Sequence, residues 1–517
     1  MTLATDDIYD VAIVGFGPSG AVAAGLLGQE NVRTIVCDLS ETIFDKPRAL
    51  ALDHEILRVF QELGIAGKVE PCMEPFTPSE YFGVEGTLIK RFATAEPPFP
   101  QAFPPSVVFT QPAVEGILRE RIAGLPNVDR ALGWKAVGLE QNDENVRLRL
   151  VGPEGQPRTV KARYLIACDG AGSTIRGLIG SRLEDLGFDE PWLVVDVLAN
   201  EQGLAKLPQT SVQYCEPDRP CTFVIGPGNH RRWEISLRTG EDPRQAETAG
   251  QTWKLLSRWL TPDDGTLWRQ AAYQFHALVA DRWRRGRVFL AGDCAHQQPP
   301  FLGQGMCQGV RDVANLCWKL AAVLRGRATD RLLATYQDER KAHVRELTTR
   351  IKAIGAVICE RDTEKARQRD AALLAECGGV VKSVPRQNVI PPLERGLIDP
   401  MPHPARGTLF PQPWITHDGR WVRLDDVVGR GWRFVRDGAA SSDVALPEAM
   451  ALKLGATTVT MGAGGHVETE GVVSGWLARH GCRAALVRPD NYVYGVASSA
   501  GDVARQETAL RPYFSGP

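Results

Sequence analysis

Residues 287–324 read RVFLAGDCAHQQPPFLGQGMCQGVRDVANLCWKLAAVL and join a strand pattern to a helix pattern. The apolar run at 288–291 predicts a short buried strand. A loop with Asp293, two prolines and several glycines follows, and apolar residues then recur at spacings of three and four up to position 324, which predicts a helix. A carboxylate, glycines that permit close approach and a helix N-terminus together suit a polyol or phosphate ligand.

A second nucleotide-binding pattern lies at positions 9–38. A strand pattern leads into GFGPSG at 15–20, and an apolar helix pattern, a second strand pattern and Asp38 follow. A G-x-G-x-x-G between strand and helix, with an acid about 20 positions later, predicts a βαβ dinucleotide site, although a chance glycine-rich loop is the alternative. The glycines allow a tight turn, approach of a pyrophosphate and close helix packing, and the acid accepts from ribose hydroxyls. The predicted contact residues are Gly15, Gly17, Pro18, Ser19, Gly20 and Asp38.

The stretch GDCAHQQPPFLGQGMCQGVRDVANLCWKL, at 292–320, resembles the second FAD motif of the group A flavoprotein aromatic hydroxylases, which are single-component FAD monooxygenases. This chain departs from many members in having Cys294 and Cys307, at positions where contacts are expected from the backbone. The resemblance implies that Asp293 holds the ribityl chain and that the helix after Gly305 stabilises reduced flavin. The implied FAD contacts are Gly292, Asp293, Pro300, Gly303, Gly305, Met306 and Cys307, and Pro299 and Pro300 would lie beside the ring where oxygen is activated.

Three more segments match motifs of this family. Arg48, in Pro-Arg-Ala at 47–49, corresponds to an Arg near the flavin and the pyridine nucleotide, unless it is a surface Arg. Gln111, at the start of a predicted helix, would contact the ribityl or phosphate region. Asp169 and Arg176 lie in D-G-x-x-S-x-x-R and would brace the FAD groove and a transient NAD(P)H site, unless they form only an Asp-Gly turn with an Arg cap.

Strand patterns at 192–199, 211–214, 222–226 and 232–238 predict an antiparallel sheet. In the family this sheet roofs the substrate cavity over the flavin ring. The predicted lining residues, about half of which alternation would place on the wrong face, are Gln213, Tyr214, Phe223, Arg232, Trp233 and Glu234. The catalytic candidates are Arg48, Tyr214, Pro299, Pro300 and His276, although a core histidine is the simpler interpretation of the last.

The resemblance implies an α/β fold with a Rossmann-like FAD-binding domain similar to that of p-hydroxybenzoate hydroxylase. An antiparallel-sheet substrate domain would be inserted in it, and a C-terminal thioredoxin-like domain would follow a helical, Pro-rich linker. The C-terminal part has no C-x-x-C, so we expect packing or dimerisation rather than thiol chemistry. The expected boundaries are 1–75, 106–185 and 277–360 for the FAD domain, 76–105 and 186–276 for the substrate domain, 361–400 for the linker and 401–517 for the C-terminal domain.

Composition limits the class of protein. The 517 residues are too many for one core, so two or three domains are expected. A net charge of −2 without a basic run argues against nucleic acid and anionic membranes as partners. The eleven cysteines show no C-x-x-C or zinc spacing, so we predict no metal site. Their scatter and the acidic N-terminus, which lacks a signal-peptide pattern, predict a cytoplasmic protein. We expect a monomer or homodimer. The uncharged stretch 11–28 is interrupted by Pro18 and five glycines and is not predicted to span a membrane.

The resemblance implies a reaction in which NADH or NADPH reduces FAD, O₂ forms a flavin C4a-hydroperoxide, and an OH group passes to an electron-rich ring. Positions 47–49, 192–196 and 213–220 resemble the 3-(3-hydroxyphenyl)propionate hydroxylase subgroup, which implies ortho-hydroxylation of a phenolic acid. Arg231, Arg232 and Arg238 are the candidate partners of its carboxylate. The alternatives are a hydroxylase of larger polycyclic or heteroaromatic compounds, a flavin-dependent reductase and a non-catalytic flavoprotein. A halogenase is disfavoured because W-x-W-x-I-P is absent.

Overall fold

The computed structural model describes residues 8–440 and 444–514. The strands of this part are, in chain order, β1 (Ile8–Val14), β2 (Thr34–Asp38), β3 (Ala51–Asp53), β4 (Met73–Pro75), β5 (Ser79–Phe82), β6 (Leu88–Ala93), β7 (Ser106–Phe109), β8 (Val128–Leu132), β9 (Lys135–Gln141), β10 (Val146–Val151), β11 (Pro157–Ala167), β12 (Leu183–Ala199), β13 (Ser211–Tyr214), β14 (Cys221–Ile225), β15 (His230–Ser236), β16 (Gly265–Ala280), β17 (Arg284–Arg285), β18 (Val288–Leu290), β19 (His296–Gln297), β20 (Ser383–Pro385), β21 (Trp414–His417), β22 (Arg420–Arg423), β23 (Arg433–Asp437), β24 (Thr457–Met461), β25 (Val467–Glu468), β26 (Ala484–Val487) and β27 (Val493–Ala497).

The α-helices of the same residues are α1 (Pro18–Gln29), α2 (His54–Glu62), α3 (Ala66–Val69), α4 (Gln111–Ala123), α5 (Thr174–Leu178), α6 (Glu201–Lys206), α7 (Pro243–Ala246), α8 (Ala249–Leu256), α9 (Gly305–Leu324), α10 (Asp330–Ile358), α11 (Thr363–Glu376), α12 (Leu424–Val428), α13 (Glu448–Leu454), α14 (Val472–Arg479) and α15 (Ala500–Leu510). Of these helices, none has the length and apolar character that crossing a membrane would need.

A parallel sheet forms the centre of the first domain. Strands β18, β11, β1, β2 and β8 lie side by side in that order, and β1 pairs in parallel with both β11 and β2. Helix α1 connects β1 to β2, so the predicted βαβ unit is present. Because parallel strands share one direction, the loops after β1, β11 and β18 open at the same sheet edge. The glycine loop, the Asp-Gly turn and the Gly-Asp loop of the sequence patterns therefore meet there.

A second sheet, with strand order β19-β16-β12-β15-β14-β13-β5-β6-β20, stands beside this edge. Its central pairs β16·β12, β12·β15, β15·β14 and β14·β13 are antiparallel, whereas β13·β5 and β20·β6 are parallel. One face packs a core of Val, Leu and Trp side chains. The opposite face is turned towards the first domain, and the sheet therefore closes one side of the space between them.

The structure corrects the expected domain boundaries. Residues 361–400 contain a helix, α11, but they do not form only a linker, because β20 extends the second sheet by pairing with β6. The second sheet also starts earlier and ends later than 186–276, since β12 begins at Leu183 and β16 ends at Ala280. A Pro-rich stretch carries little hydrophobic periodicity, and for that reason the pairing of β20 left no signal in the sequence.

The C-terminal domain has its own sheet, with order β24-β23-β26-β27. Strands β23 and β24 are parallel, and the other two pairs are antiparallel. An apolar core lies between this sheet and α14. A second apolar cluster joins the domain to α9 and α10 through Trp318, Leu332 and Trp432, so the C-terminal domain is packed firmly against the first.

Buried charges also join these two domains. Arg488, which is fully buried, donates through Nη2 to Glu339 at 2.7 Å and to Asp490 at 2.6 Å. The same Glu339 carboxylate receives the Asn315 amide at 2.6 Å and lies 2.9 Å from the Lys319 ammonium. These groups come from α9, α10 and the end of β26, so each domain supplies charges that the other neutralises.

We predict that Arg488→Met lowers the free energy of unfolding by roughly 3–5 kcal/mol, because Glu339 and Asp490 then keep buried charge with fewer partners. Denaturant unfolding of the purified protein measures this cost. The matched control is Arg511→Met, which removes an exposed pair with Glu507 and should change stability by less than about 1 kcal/mol. Equal midpoints for the two variants would contradict the role given to Arg488.

Candidate active site

A cavity of about 460 Å³ lies between the loop edge of the parallel sheet and the second sheet. Its wall includes the glycine loop, the 48–51 segment, the Asp-Gly turn, the Gly-Asp loop, the start of α9 and the polar face of β12–β16. The predicted residues on this wall are Gly17, Pro18, Ser19, Arg48, Gln111, Gln213, Arg232, Glu234, His276, Asp293, Pro300, Gly303, Gly305 and Met306.

The three glycines of the first loop meet different surroundings. Gly15 has φ +100°, and a Cβ there would lie 2.2 Å from the Cys168 carbonyl oxygen. A Cβ on Gly20 would lie 1.9 Å from the Gly15 carbonyl oxygen. A Cβ on Gly17, which lines the cavity, would meet nothing within 4 Å. The first and third glycines are thus required by the protein itself, and the second leaves room for a ligand to approach the backbone.

The Gly-Asp loop is held from behind and leaves its carboxylate unpaired. Gly292, at φ +68°, donates its N–H to Asp312 at 3.0 Å, and the same carboxylate lies 2.7 Å from His296 Nε2. Asp293 lines the cavity and forms no hydrogen bond or ion pair within residues 8–440 and 444–514. Asp293 is exposed to the cavity, and partial desolvation by the surrounding protein atoms raises the pKa of its carboxyl. The Asp293 carboxylate can therefore accept hydrogen bonds from the hydroxyl groups of a polyol bound in the cavity.

Gln111 organises the segment that carries Arg48. Its Oε1 accepts from the Arg48 N–H at 3.0 Å and the Ala49 N–H at 2.5 Å, and its Nε2 donates to Glu115 at 2.6 Å. The Arg48 guanidinium lies 5.7 Å from the centre of the Phe44 ring and has no ion pair in the described part of the chain. Arg48 therefore offers a cation without an ion-pair partner in the described residues at the cavity wall.

Several predicted contact residues stand behind the wall. Asp38 accepts from the Phe16 N–H at 2.5 Å and the Ser40 N–H at 2.6 Å, so it clamps the glycine loop. Asp169 accepts from Ser173 at 2.5 Å, and Arg176 ties the Asp-Gly turn to the Cys294 carbonyl oxygen at 3.0 Å. The residues predicted from the flavin motifs that do not line the cavity are Gly15, Gly20, Asp38, Asp169, Gly292, Pro299 and Cys307.

The register of the second sheet corrects the predicted lining. Phe223 pairs with Trp233, and both rings are fully buried in the apolar core on the far face. Tyr214 faces the same way and donates no group to the cavity, since its ring packs on Trp259. The predictions that these three residues line the cavity are wrong. Side chains alternate along a strand, so the cavity face is formed instead by Gln213, Thr222, Val224, Arg232 and Glu234.

The three arginines proposed for a substrate carboxylate are otherwise engaged. Arg232 forms a bidentate pair with the buried Asp196, at 2.7 and 3.1 Å, and donates to the Pro47 and Arg48 carbonyl oxygens at 2.8 Å each. Arg231 donates to the carbonyl oxygens of residues 226, 228 and 230, and Arg238 pairs with Asp218 on the solvent side. None of the three is available to an anionic ligand, and the prediction is corrected on this point.

His276 is not a core histidine. It lines the cavity, and its Nδ1 lies 2.9 Å from an oxygen of Asp189, whose side chain is 60% exposed. Sequence reasoning missed Arg269 and Arg386, which also line the cavity. Arg386 follows β20, in the segment interpreted as a linker, and no sequence pattern distinguishes it from a solvated arginine.

The residues present fit a dinucleotide with a polyhydroxy linker. The open backbone at Gly17 suits a pyrophosphate, and the unpaired Asp293 suits hydroxyl donors. Helix α9 begins at Gly305 on the cavity wall, so its N-terminal N–H groups favour negative charge there. Among the described residues, no group of three or more His, Cys, Asp or Glu side chains is arranged so that it could bind a metal ion.

Known proteins resemble this chain along nearly its whole length. Residues 8–351 match the family described as FAD binding domain, and residues 407–511 match the HcaD C-terminal domain. A probable NADH-specific resorcinol 4-hydroxylase of Rhodococcus jostii (strain RHA1) is 37% identical over 506 residues, which are 96% of this chain and 93% of that protein. A 3-(3-hydroxy-phenyl)propionate/3-hydroxycinnamic acid hydroxylase of Burkholderia vietnamiensis (strain G4 / LMG 22486) is 32% identical, over 97% of this chain and 96% of that protein.

Two solved structures share the fold. The flavin-dependent monooxygenase PieE, in complex with FAD and substrate, superposes with a TM-score of 0.83 at 24% identity and covers 98% of this chain and 99% of its own. Aklavinone-11 hydroxylase, in a ternary complex with FAD and aklavinone, has a TM-score of 0.79 at 25% identity with the same coverage. With two thirds of its length matching the FAD binding domain and full-length hydroxylase relatives, the chain belongs to the group A FAD-dependent aromatic hydroxylases.

Proposed function

We propose that this aromatic hydroxylase uses NADH or NADPH and O₂ to add a hydroxyl ortho to the existing hydroxyl of a small phenol. The observation that carries the proposal is a cavity in which residues suited to FAD adjoin the polar face of the second sheet. The names of the Rhodococcus and Burkholderia relatives, which specify phenolic substrates, support it. Bound FAD supplies the redox and oxygen-transfer chemistry, and the protein supplies binding, orientation and exclusion of water.

The cradle residues take separate tasks in this proposal. The backbone at 17–19 receives the pyrophosphate, and Asp293 accepts hydrogen bonds from the ribityl hydroxyls. Gln111 keeps the Arg48 segment in place, and Arg48 offers a positive charge to the transiently bound nicotinamide cofactor. Pro300 lines the cavity beside the start of α9, and the N–H groups of that helix stabilise negative charge. The relative that is named NADH-specific favours NADH.

The size of the cavity favours a small substrate over a polycyclic one. The same 460 Å³ must take the flavin ring together with the substrate, and a ligand alone often occupies a pocket of roughly 300–1,000 Å³. Trp192, Phe275 and Phe301 pack against one another next to the cavity and limit its extension on that side. A single aromatic ring with short substituents fits this space better than a fused ring system does.

A carboxylate on the substrate would need a cation other than the three sheet arginines. Arg386 is 8% exposed, lies 4.1 Å from the centre of the Phe76 ring and donates to the Leu302 carbonyl oxygen. Its Nε has no hydrogen-bond partner in the structure, and no carboxylate pairs with it in the described residues. We assign Arg386 as the group that would receive an anionic substituent of a phenolic acid.

The C-terminal domain is proposed to be thioredoxin-like and structural. A parallel pair joined through a helix and an antiparallel pair beside it support the fold assignment. Cys482 is the lone cysteine of residues 401–517, so thiol–disulfide exchange within the domain has no second thiol. The buried network around Arg488 supports a packing role, because it joins the domain to α9 and α10.

We predict that Asp293→Ala weakens FAD binding about ten- to a hundred-fold, since hydrogen bonds to a charged acceptor contribute roughly 1.5–3 kcal/mol. Titration of apoprotein with FAD, followed by flavin fluorescence, measures the dissociation constant. Asp263→Ala, which removes an exposed carboxylate that does not line the cavity, is the control and should bind FAD like the parent. A folded Asp293→Ala protein with the parental affinity would rule out the assigned role.

We predict coupled turnover with resorcinol and 3-(3-hydroxyphenyl)propionate, with one atom of ¹⁸O₂ in an ortho-hydroxylated product. NADH oxidation, oxygen uptake and mass spectrometry of the product test this. Turnover confined to fused polycyclic or heteroaromatic compounds would refute the small-phenol assignment and leave the family unaffected.

Comparison of the two substrates also tests Arg386. Arg386→Met should raise KM about ten- to a hundred-fold for 3-(3-hydroxyphenyl)propionate, because a charged hydrogen bond is lost. Resorcinol carries no carboxylate and serves as the internal control, for which KM should change little. Parallel losses for both substrates would mean that Arg386 supports the cavity wall instead of binding an anion.

A further inference from the structure

A polar row crosses the cavity face of the second sheet. In the register of the strands Gln213 pairs with Thr222, Thr222 with Glu234, and Glu234 with Val194. Because directly paired residues point to the same face, the three polar side chains lie next to one another above the cavity. Thr222 Oγ1 donates to Gln213 Oε1 at 2.6 Å, which orients the amide N–H₂ of Gln213 as a donor without a partner in residues 8–440 and 444–514.

Glu234 is an unusual member of this row. Glu234 is only 6% exposed, and it lines the cavity. The carboxylate forms no hydrogen bond or ion pair with any residue that the structure describes. Buried carboxylates are normally paired, since removing an unpaired charge from water is costly. A proton donor supplied by a ligand would remove this cost.

The charges around Glu234 do not neutralise it. Arg232, two residues away on the same strand, is held by Asp196 on β12 in a bidentate pair. Arg269 on β16 donates to the Pro47 carbonyl oxygen and to Tyr273. Behind the sheet, the buried Cys221 thiol on β14 is neutral because burial raises its pKa. Burial raises the pKa of the Glu234 carboxyl to about 7, with Arg232 and Arg269 opposing this rise and Asp196 adding to it.

We propose that Glu234 is the general base that removes the phenolic proton of the substrate. The inference deepens the proposed function and rests on it. An electron-rich ring is needed for hydroxylation, and a phenolate is far richer than a phenol. The base lies on a rigid central strand, which keeps it at a constant position relative to the α9 end of the cavity.

The proton transfer is balanced without a further reactant. The phenolic O–H bond breaks, its electron pair stays on the substrate oxygen, and a new O–H bond forms on the Glu234 carboxylate. The Gln213 amide N–H₂ donates to the resulting phenolate oxygen and holds it next to the base. Glu234 returns its proton to solvent through the cavity, whose wall includes the partly exposed His276. Gln213 is accordingly a positioning residue, and Glu234 is the catalytic one.

A ligand-binding experiment tests the base without turnover. 4-Nitrophenol, whose phenolate absorbs visible light, is added to the FAD-loaded parent and to Glu234→Gln slightly below pH 7, and absorption is read against each enzyme alone. The parent should show a phenolate band larger than the solution ionisation accounts for, because Glu234 accepts the proton. Glu234→Gln should show no excess band. An equal band in the two proteins, or none in the parent, overturns the proposal.

A kinetic experiment on the same proteins gives a second readout. For resorcinol, Glu234→Gln should lower the hydroxylation rate about 10²- to 10⁴-fold, the range for general bases. The parental kcat/KM should rise with pH through about 7, since the carboxylate is the active form above its pKa, and the variant should lack this limb. With ring-fluorinated resorcinols of increasing acidity, the loss of hydroxylation rate in Glu234→Gln should become smaller, because an already ionised substrate needs no base.

The control is Glu241→Gln, which alters a carboxylate paired with Arg219 outside the cavity. It should retain the parental pH profile, ligand spectrum and FAD content. If kcat/KM of Glu234→Gln still rises through pH 7, and its loss of rate is the same for all fluorinated resorcinols, Glu234 has only a structural role. That result would refute its assignment as the general base. If the parent does not oxidise NADH with any phenol, the proposed function fails, whereas the nitrophenol spectrum still decides the role of Glu234.

Discussion

The arrangement of this protein depends on a buried polar stripe along α9. Gln308, Arg311, Asp312, Asn315 and Lys319 recur at helical spacing, and each is at most 2% exposed. Buried polar and charged groups are normally paired, so the elements packed around α9 supply hydrogen-bonding or oppositely charged partners at matching positions along the helix. Asp53 and Glu55 pair with Arg311, Arg340 pairs with Asp312, and Glu339 pairs with Lys319. The helix is thereby held in one position by both domains.

This clamp has consequences at each end of the helix. Near its start, Asp312 accepts from the Gly292 N–H and contacts His296, so the loop that carries Asp293 is positioned by the same helix whose N-terminus faces the cavity. Further along, Asn315 and Lys319 engage Glu339, which binds Arg488 of the C-terminal domain. Through Arg488 and Asp490, the C-terminal domain takes part in the charge pairing around α9. The cofactor side of the cavity and the domain interface are thus stabilised by one network.

The second sheet separates packing from chemistry by strand alternation. Phe223, Trp233 and their neighbours supply the apolar core on one face, which stabilises the sheet and keeps it rigid. On the other face Asp196 and Arg232 neutralise each other and hold the 47–48 segment, which brings Arg48 to the cavity wall. Asp196 and Arg232 are paired with each other, whereas Glu234 on the same face has no partner among the residues that the structure describes. Arg386, which follows β20 and is distant in sequence from the other strands of the sheet, places a positive charge on the wall of the same cavity.

Local patterns in the sequence determined much of this protein. The strand, glycine loop and helix at 9–38, and the Gly-Asp loop before α9, are local, so their spacing predicted a nucleotide-binding cradle, while the family was indicated by the resemblance of residues 292–320 to a known motif. Only the tertiary structure decided which strand residues face the cavity, because a shift of one residue exchanges the two faces and the register depends on distant partners. It also decided that the charged side of α9 is buried, that 383–385 joins the second sheet and that Arg386 reaches the cavity. These features arise from contacts between segments far apart in the chain, and no local periodicity records such contacts.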